Sequence, residues 1–335
     1  MKIYPKPPVQ PLLFAIALLI ALAIHACSLA PFDSTQTLRV GISRWPGFDV
    51  AFYAKEAGLF KKRGLEVELI PFENQQDIVR AVMRDALDAG FIALWDAMQA
   101  DPGTDNPAFI LTTNISQGAD GIVTRSAVRS LEDLRGKTVG AKLGTVNHLI
   151  LLEALKHHKI EPSEVQVVDI SNEEAAKRLR DNRLDSAVTW EPLLTETAKA
   201  VQGNIVYTTQ EIDSLVIDGL VSRSSHIQDK KAEFKKFILA WFDLMQAIET
   251  QPQEVFEIVG KQFGQTGEAF ASDYAGLKKG DIALNRQMFV EGGLQAAVGE
   301  MVQLLRADPR HGRIVREDID LDADPVTAAI QAWRS

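Results

Sequence analysis

The sequence predicts an α/β fold built from two successive αβ segments and a largely helical tail. Three observations carry this. Short apolar strands alternate with longer amphipathic helices from Leu38 to Tyr207, which is the rhythm of α/β sheets. The rhythm restarts at Leu131, after a first series that ends near Thr124. From about residue 228 the pattern is helical almost throughout. Together they predict two lobes, a discontinuous one over 38–122 and 217–335 and a continuous one over 123–216. The chain would cross between them near 115–125 and return near 213–222.

Each element has its own signal. Leu38–Ile42 reads as the first strand, and Val50–Lys62 as a helix with Ala51, Ala54, Leu59 and Phe60 on its apolar side. Leu65–Ile70 alternates with period two, as a half-buried strand does. Asn74–Arg84 is the next helix, followed by strands at Ala89–Leu94, Pro107–Thr113 and Gly121–Thr124. In the second series, strands are predicted at Thr138–Ala141, Val165–Ile170, Asp185–Thr189 and Asn204–Tyr207. The helices between them fall at Thr145–His158, Asn172–Arg180 and Pro192–Val201. Leu215–Val221 reads as a return strand. Helices over Gln228–Thr250, Pro252–Phe263 and Gly292–Leu305 complete the pattern.

The N-terminus carries a different message. Lys2 and Lys6 precede a thirteen-residue apolar run, Leu12–Ile24, and the only cysteine, Cys27, follows it closely. A basic start, a short apolar stretch and a small residue before the cut describe a secretory leader. The run is shorter than the roughly 20 residues that span a bilayer. Residues 1–26 are therefore expected to be a signal peptide of lipoprotein type, with Cys27 lipidated and 27–37 a tether. An ordinary leader followed by a spare thiol is the alternative. Without residues 1–26, which carry two lysines and no acid, the formal charge moves from −9 to −11. An acidic exported chain is a poor nucleic-acid binder, because phosphate neutralisation by Lys and Arg supplies most of that affinity. With Cys27 used for lipid there is neither a disulfide framework nor a thiolate metal site. No cofactor or metal is implied, and the body is expected to be a water-soluble monomer on a tether.

In open α/β sheets ligands bind beyond the carboxyl ends of the strands. Trp45, Trp95 and Trp190 each stand just after a predicted strand, whereas Trp241 and Trp333 lie in helical patterns and read as packing residues. A single tryptophan there could cap a core edge; three can wall a small molecule, and can hold a cationic group on their ring faces. The same ends carry Asp96, Asp120, Glu191 and Asp218, which are either turn and capping residues or acceptors for an amine, amidine or hydroxyl. Gly144-Thr145 opens a helix, so Thr145 is an N-cap, a corner of an anion site, or both. His148 could face the cleft or the surface, while His157 and His158 read as a solvated helix end. Serine-hydrolase, zinc-protease, phosphate-loop and dinucleotide signatures are absent from the sequence.

These motifs resemble a known family. Val40-Gly41-Ile42, Trp45-Pro46-Gly47, Ala54–Phe60 and Gly64–Glu68, with Asp133–Gly140 and Leu184–Pro192, resemble extracytoplasmic binding proteins of the nitrate, sulfonate, taurine and thiamine-pyrimidine-precursor group. The resemblance runs from about Leu38 to Val221. It implies a periplasmic binding protein-like fold, a ligand cleft between the lobes, and ABC permease and ATPase subunits as partners. It implies no enzyme: pyrimidine synthases of this fold use a cysteine-rich motif that the mature body lacks. A ligand sensor for a signalling partner and a pyrimidine-synthase-like enzyme are the alternatives. The carboxylates disfavour bare anions, so a zwitterionic, sulfonate/taurine-like or pyrimidine-like solute is expected.

Overall fold

The computed structural model describes Met1 and residues 37–334, except 102, 213, 214, 309, 311 and 313–315. The leader, Cys27 and the tether up to residue 36 lie outside the described residues.

Two mixed sheets form, as the alternating pattern predicts. In the first, β1 (Thr37–Ile42) lies between β2 (Glu66–Pro71) and β3 (Ala89–Ala93), parallel to both. Next to β3 comes β10 (Ile217–Arg223), antiparallel, followed by β4 (Pro107–Ser116) and β11 (Leu277–Lys279); β12 (Asp320–Leu321) pairs with β4. In the second sheet the order is β7 (Gln166–Asp169), β6 (Thr138–Ala141), β8 (Ser186–Trp190), β5 (Asp120–Thr124) and β9 (Asn204–Thr208).

Sequence explains the strand environments. β4 is buried along all ten residues, as a strand covered on both faces is, although only its first half is apolar and its second half buries Thr112, Thr113, Asn114 and Ser116. In β2 the alternation places Val67 and Leu69 inside and Glu68 outside. The register of β1, with Val40 opposite both Leu69 and Ala89, aligns the carboxyl ends of three parallel strands. Helix Lys231–Thr250 covers the far face, with Phe237 and Trp241 tilted against Phe91 at 6.1 and 5.8 Å between ring centroids.

The chain passes from β4 to β5 through residues 117–119 and returns from β9 to β10 through residues 209–216. β5 belongs wholly to the second sheet, so residues 120–122 lie there rather than with 38–119. The two crossings are tied to each other. Thr209 Oγ1 accepts from the Gly118 N–H at 2.7 Å and lies 2.7 Å from Ser116 Oγ, and the Ser116 N–H donates to the Val216 carbonyl at 3.0 Å.

The C-terminal tail does more than cover the first sheet. Helix Val146–His157 is buried nearly all round, from Val146 to Leu155, because it is packed between the second sheet and tail helix Gly293–Ala307. Leu149, Ile150, Leu294 and Met301 share one core with Ile78 and Val82 of the first sheet's helix Gln75–Met83.

Candidate functional site

The carboxyl ends of β1, β2 and β3 face those of β6, β7 and β8, and a cavity of about 580 Å³ lies between them. Ser43 and Arg44 reach it from β1, Pro71–Gln76 from β2 and Asp96 from β3. Lys142, Thr145–Asn147, Ser171–Glu173 and Trp190 close it from the second sheet. A smaller recess of about 10 Å³, lined by Trp45, Gln75, Asp120, Val146, Trp190, Val216 and Asp218, shares Gln75, Val146 and Trp190 with the cavity.

Of the sequence-predicted residues, Trp45, Asp96, Asp120, Thr145, Trp190 and Asp218 are brought together here. Trp45 and Trp190 meet edge to face, 6.3 Å between centroids at 88°. The Trp45 indole donates to Asn114 Oδ1 at 3.1 Å, and Gly47 makes that approach possible. A Cβ there would stand 2.2 Å from Asn114 Nδ2 and 2.8 Å from Trp45 Nε1.

Trp95, Gly144 and Glu191 are placed elsewhere. The Trp95 ring is 1% exposed and packs behind the cavity against His148, at 6.3 Å and 82°. Trp95 and Asp96 are successive residues of the short helix Leu94–Ala97, so their side chains point about 100° apart and only Asp96 faces the cavity. Gly144 contributes a turn at φ +74°, and its carbonyl accepts from Gln99 Nε2 at 2.9 Å. Glu191 turns back to helix Leu193–Val201, accepting from the Thr195 N–H at 3.1 Å and the Thr195 hydroxyl at 2.5 Å. His148 faces neither cleft nor surface: it is fully buried, with Nε2 3.1 Å from Asp308 Oδ2.

Thr145 is an N-cap, and the helix end it caps is full. Thr145 Oγ1 accepts from the Asn147 N–H, Thr145 O from those of His148 and Leu149, and Asp96 Oδ2 from the Val146 N–H at 3.2 Å. An internal carboxylate thus stands where an anion was expected.

Charge at the site is acidic. The two cations on the cavity wall are engaged: Arg44 with Asp49 at 3.1 Å and Lys142 with Asp169 at 3.0 Å. Burial pushes the Asp120 carboxyl up to about 7, with Glu191 adding to the rise and a Ser116 hydrogen bond opposing it. Burial also raises Asp218 well above the usual range, and the charges of Asp120 and Asp96 raise it further. Asp120 Oδ2 is buried with no hydrogen-bond partner. No group of three or more His, Cys, Asp or Glu side chains suited to a metal ion occurs among the described residues.

Residues that the tryptophan-and-carboxylate reading missed are Gln75, Lys142, Asn147, Ser171 and Asn172. Gln75, Lys142, Ser171 and Asn172 stand just past β2, β6 and β7, so the strand-end rule, applied to every strand, would have found them.

The family profile described as NMT1/THI5 like matches residues 45–255. The chain belongs to the NMT1/THI5-like family. Among relatives of this NMT1/THI5-like chain is the taurine-binding periplasmic protein of Escherichia coli, 23% identical over 282 residues, covering 81% of this chain and 87% of that one. Two solved structures show the shared fold. The ligand-binding component of an ABC-type import system from Staphylococcus aureus, solved with zinc bound, superposes with a TM-score of 0.71 at 16% identity, covering 90% of this chain and 100% of that one. The desulfurization enzyme DSZB superposes at 0.61 with 15% identity, covering 88% and 99%. NMT1/THI5-like chains of this architecture therefore neighbour both binding proteins and an enzyme, and the fold alone does not separate them.

Proposed function

We propose that this protein is the solute-binding subunit of an ABC importer, outside the cytoplasm and lipid-anchored at Cys27, and not an enzyme. It would capture a small polar or zwitterionic solute, sulfonate/taurine-like or pyrimidine-like, and deliver it to permease and ATPase subunits. The observation that supports this best is a cavity of about 580 Å³ at the facing strand ends of two sheets joined by two short crossings. Its volume is that of a small-molecule site. The taurine-binding relative and the import-system neighbour point the same way. The described residues lining the cavity and its recess include no histidine or cysteine.

A thermal-shift panel of taurine, alkanesulfonates, pyrimidines, amines and nitrate tests the reading. At least one solute should bind and change tryptophan fluorescence. Trp190→Ala should weaken that solute at least tenfold, about 1.4 kcal/mol, as expected for losing an aromatic wall. If nothing in the panel binds, the solute-capture reading fails. Cys27→Ser should release the protein from membranes in fractionation; a variant still wholly membrane-bound would remove the lipid anchor.

A further inference from the structure

The cavity has an acidic polarity that a bare anion does not explain. Its wall mixes Arg44 and Lys142, both already paired, with Glu73, Asp96 and Glu173, and its inner recess holds only Asp120 and Asp218 as ionisable groups. The capped end of helix Val146–His157 has spent its first N–H groups on Thr145 and Asp96. A sulfonate placed there would meet carboxylates on one side and a filled helix end on the other.

The recess holds an acceptor that no donor among the described residues meets. Asp120, 1% exposed, presents an oxygen with no partner to a space of about 10 Å³. That volume holds roughly one water-sized group. An ammonium or an exocyclic amino group has that size and carries two or three N–H donors; a quaternary nitrogen, a guanidinium and a sulfonate are all larger. Trp45 and Trp190 stand edge to face beside the same space, so the group behind the nitrogen would lie against aromatic walls. A metal ion would need three ligating side chains converging, which no described group supplies.

Building on the solute-capture reading, we infer that the recess is a receptor for a primary ammonium or exocyclic amino group. Asp120 and Asp218 accept its N–H donors, while Trp45 and Trp190 wall it. The rest of the solute extends into the larger cavity, toward Lys142, Asn147 and Ser171. Solute selection then rests on the nitrogen. A sulfonate without an amino group is excluded, because it would leave the buried acceptors unmatched.

Matched pairs test this by calorimetry on the chain without its leader. Taurine is compared with isethionate, which replaces the amine by a hydroxyl, and with its trimethylammonium analogue. 4-Aminopyrimidine is compared with pyrimidine. The inference expects the amino member of at least one pair to bind at least 50-fold more tightly than its partner, and the trimethylammonium analogue not to bind. The pair that responds tells an alkyl ammonium from an amino-heterocycle. Asp120→Asn and, separately, Asp218→Asn should each weaken the amino member at least tenfold while circular dichroism stays unchanged. Isethionate or pyrimidine binding as tightly as its amino partner would overturn the inference and leave solute capture standing. So would full affinity in both folded variants. A chain that binds no member of either pair overturns it as well.

Discussion

At the scale of single residues, the recess sets affinity against stability. Asp120 is buried among Asp218, Asp96 and Glu191, and no lysine or arginine lines the recess. In the folded chain its carboxyl titrates at about 7, against roughly 3.9 when unfolded. Between those values the native state binds more protons. The contribution of Asp120 to stability is therefore fully present below about pH 4, declines as pH rises toward about 7, and is lost above it. A shift of that size corresponds to at most about 4 kcal/mol. Asp218 and Asp49 are displaced in the same direction by burial, so they steepen the same slope. Asp120→Asn should thus raise Tm by several degrees at pH 8, and the difference from wild type should vanish near pH 4. Thermal melts at pH 4, 6 and 8 check this, and a variant that tracks wild type at a constant offset would show that Asp120 does not titrate there. Asp96 and Glu191 were legible in the sequence because each follows a strand, whereas Asp120 opens one and Asp218 lies within one, at the two crossings. Their orientation was not legible. The strand-end rule places a backbone, and in Leu94–Ala97 one step along a helix decides whether Trp95 or Asp96 sees the ligand.

Among elements, most strands were legible to within a residue or two because burial on both faces leaves short apolar runs, as at Thr138–Ala141 and Ala89–Ala93, but Pro107–Ser116 was read three residues short and the brief edge strands Leu277–Lys279 and Asp320–Leu321 were missed. Helix Asn172–Arg180 was legible to the residue, and the structure gives it a Ser171 cap and a basic last turn. The span Val50–Lys62 was read as one helix, but Gly58 at φ +69° breaks it before Leu59–Lys62. Helices Gly267–Tyr274, Ile282–Phe289 and Asp324–Ala332 were not located individually within the helical tail. The cap of helix Val146–His157 was read correctly and its consequence was not, because the Asp96 that fills it arrives from 50 residues earlier. Thr145 and Asp96 divide that helix end between them. Thr145→Ala should therefore cost about 1 kcal/mol, as cap removals do, lowering Tm by about 2 °C. It should leave the preference for amino over non-amino solutes intact. A loss of that preference would mean that Thr145 touches the ligand.

For the whole molecule, the question is how two sheets joined by short crossings can move. The crossings themselves are hydrogen-bonded together through Thr209, which favours rotation about them over independent flexing. A second connection lies on the tail side. Helix Val146–His157 is held to the C-terminal region by His148 against Asp308 and by Lys156 against Glu300 at 3.0 Å, and Gln99 of the first segment holds Gly144. Burial would raise the Asp308 carboxyl, but hydrogen bonds from His148 and Arg310 hold it well below the usual range. The His148–Asp308 contact is an interaction between buried groups, and removing one partner leaves the other unmatched. We expect it to favour the conformation with the sheets drawn together, and so to set part of the apparent affinity, since binding weakens as the competent fraction falls. Asp308→Ala should raise the ligand-free radius of gyration in small-angle scattering. Saturating solute should return it to the wild-type loaded value, at several-fold higher concentration, with the recess untouched. If solute shrinks the wild-type radius but Asp308→Ala changes neither radius nor affinity, the bridge is only packing and closure rests on the crossings alone. An unchanged wild-type radius at saturating solute would instead make the cleft a rigid one, and selection would then fall wholly to Asp120, Asp218 and the two tryptophans.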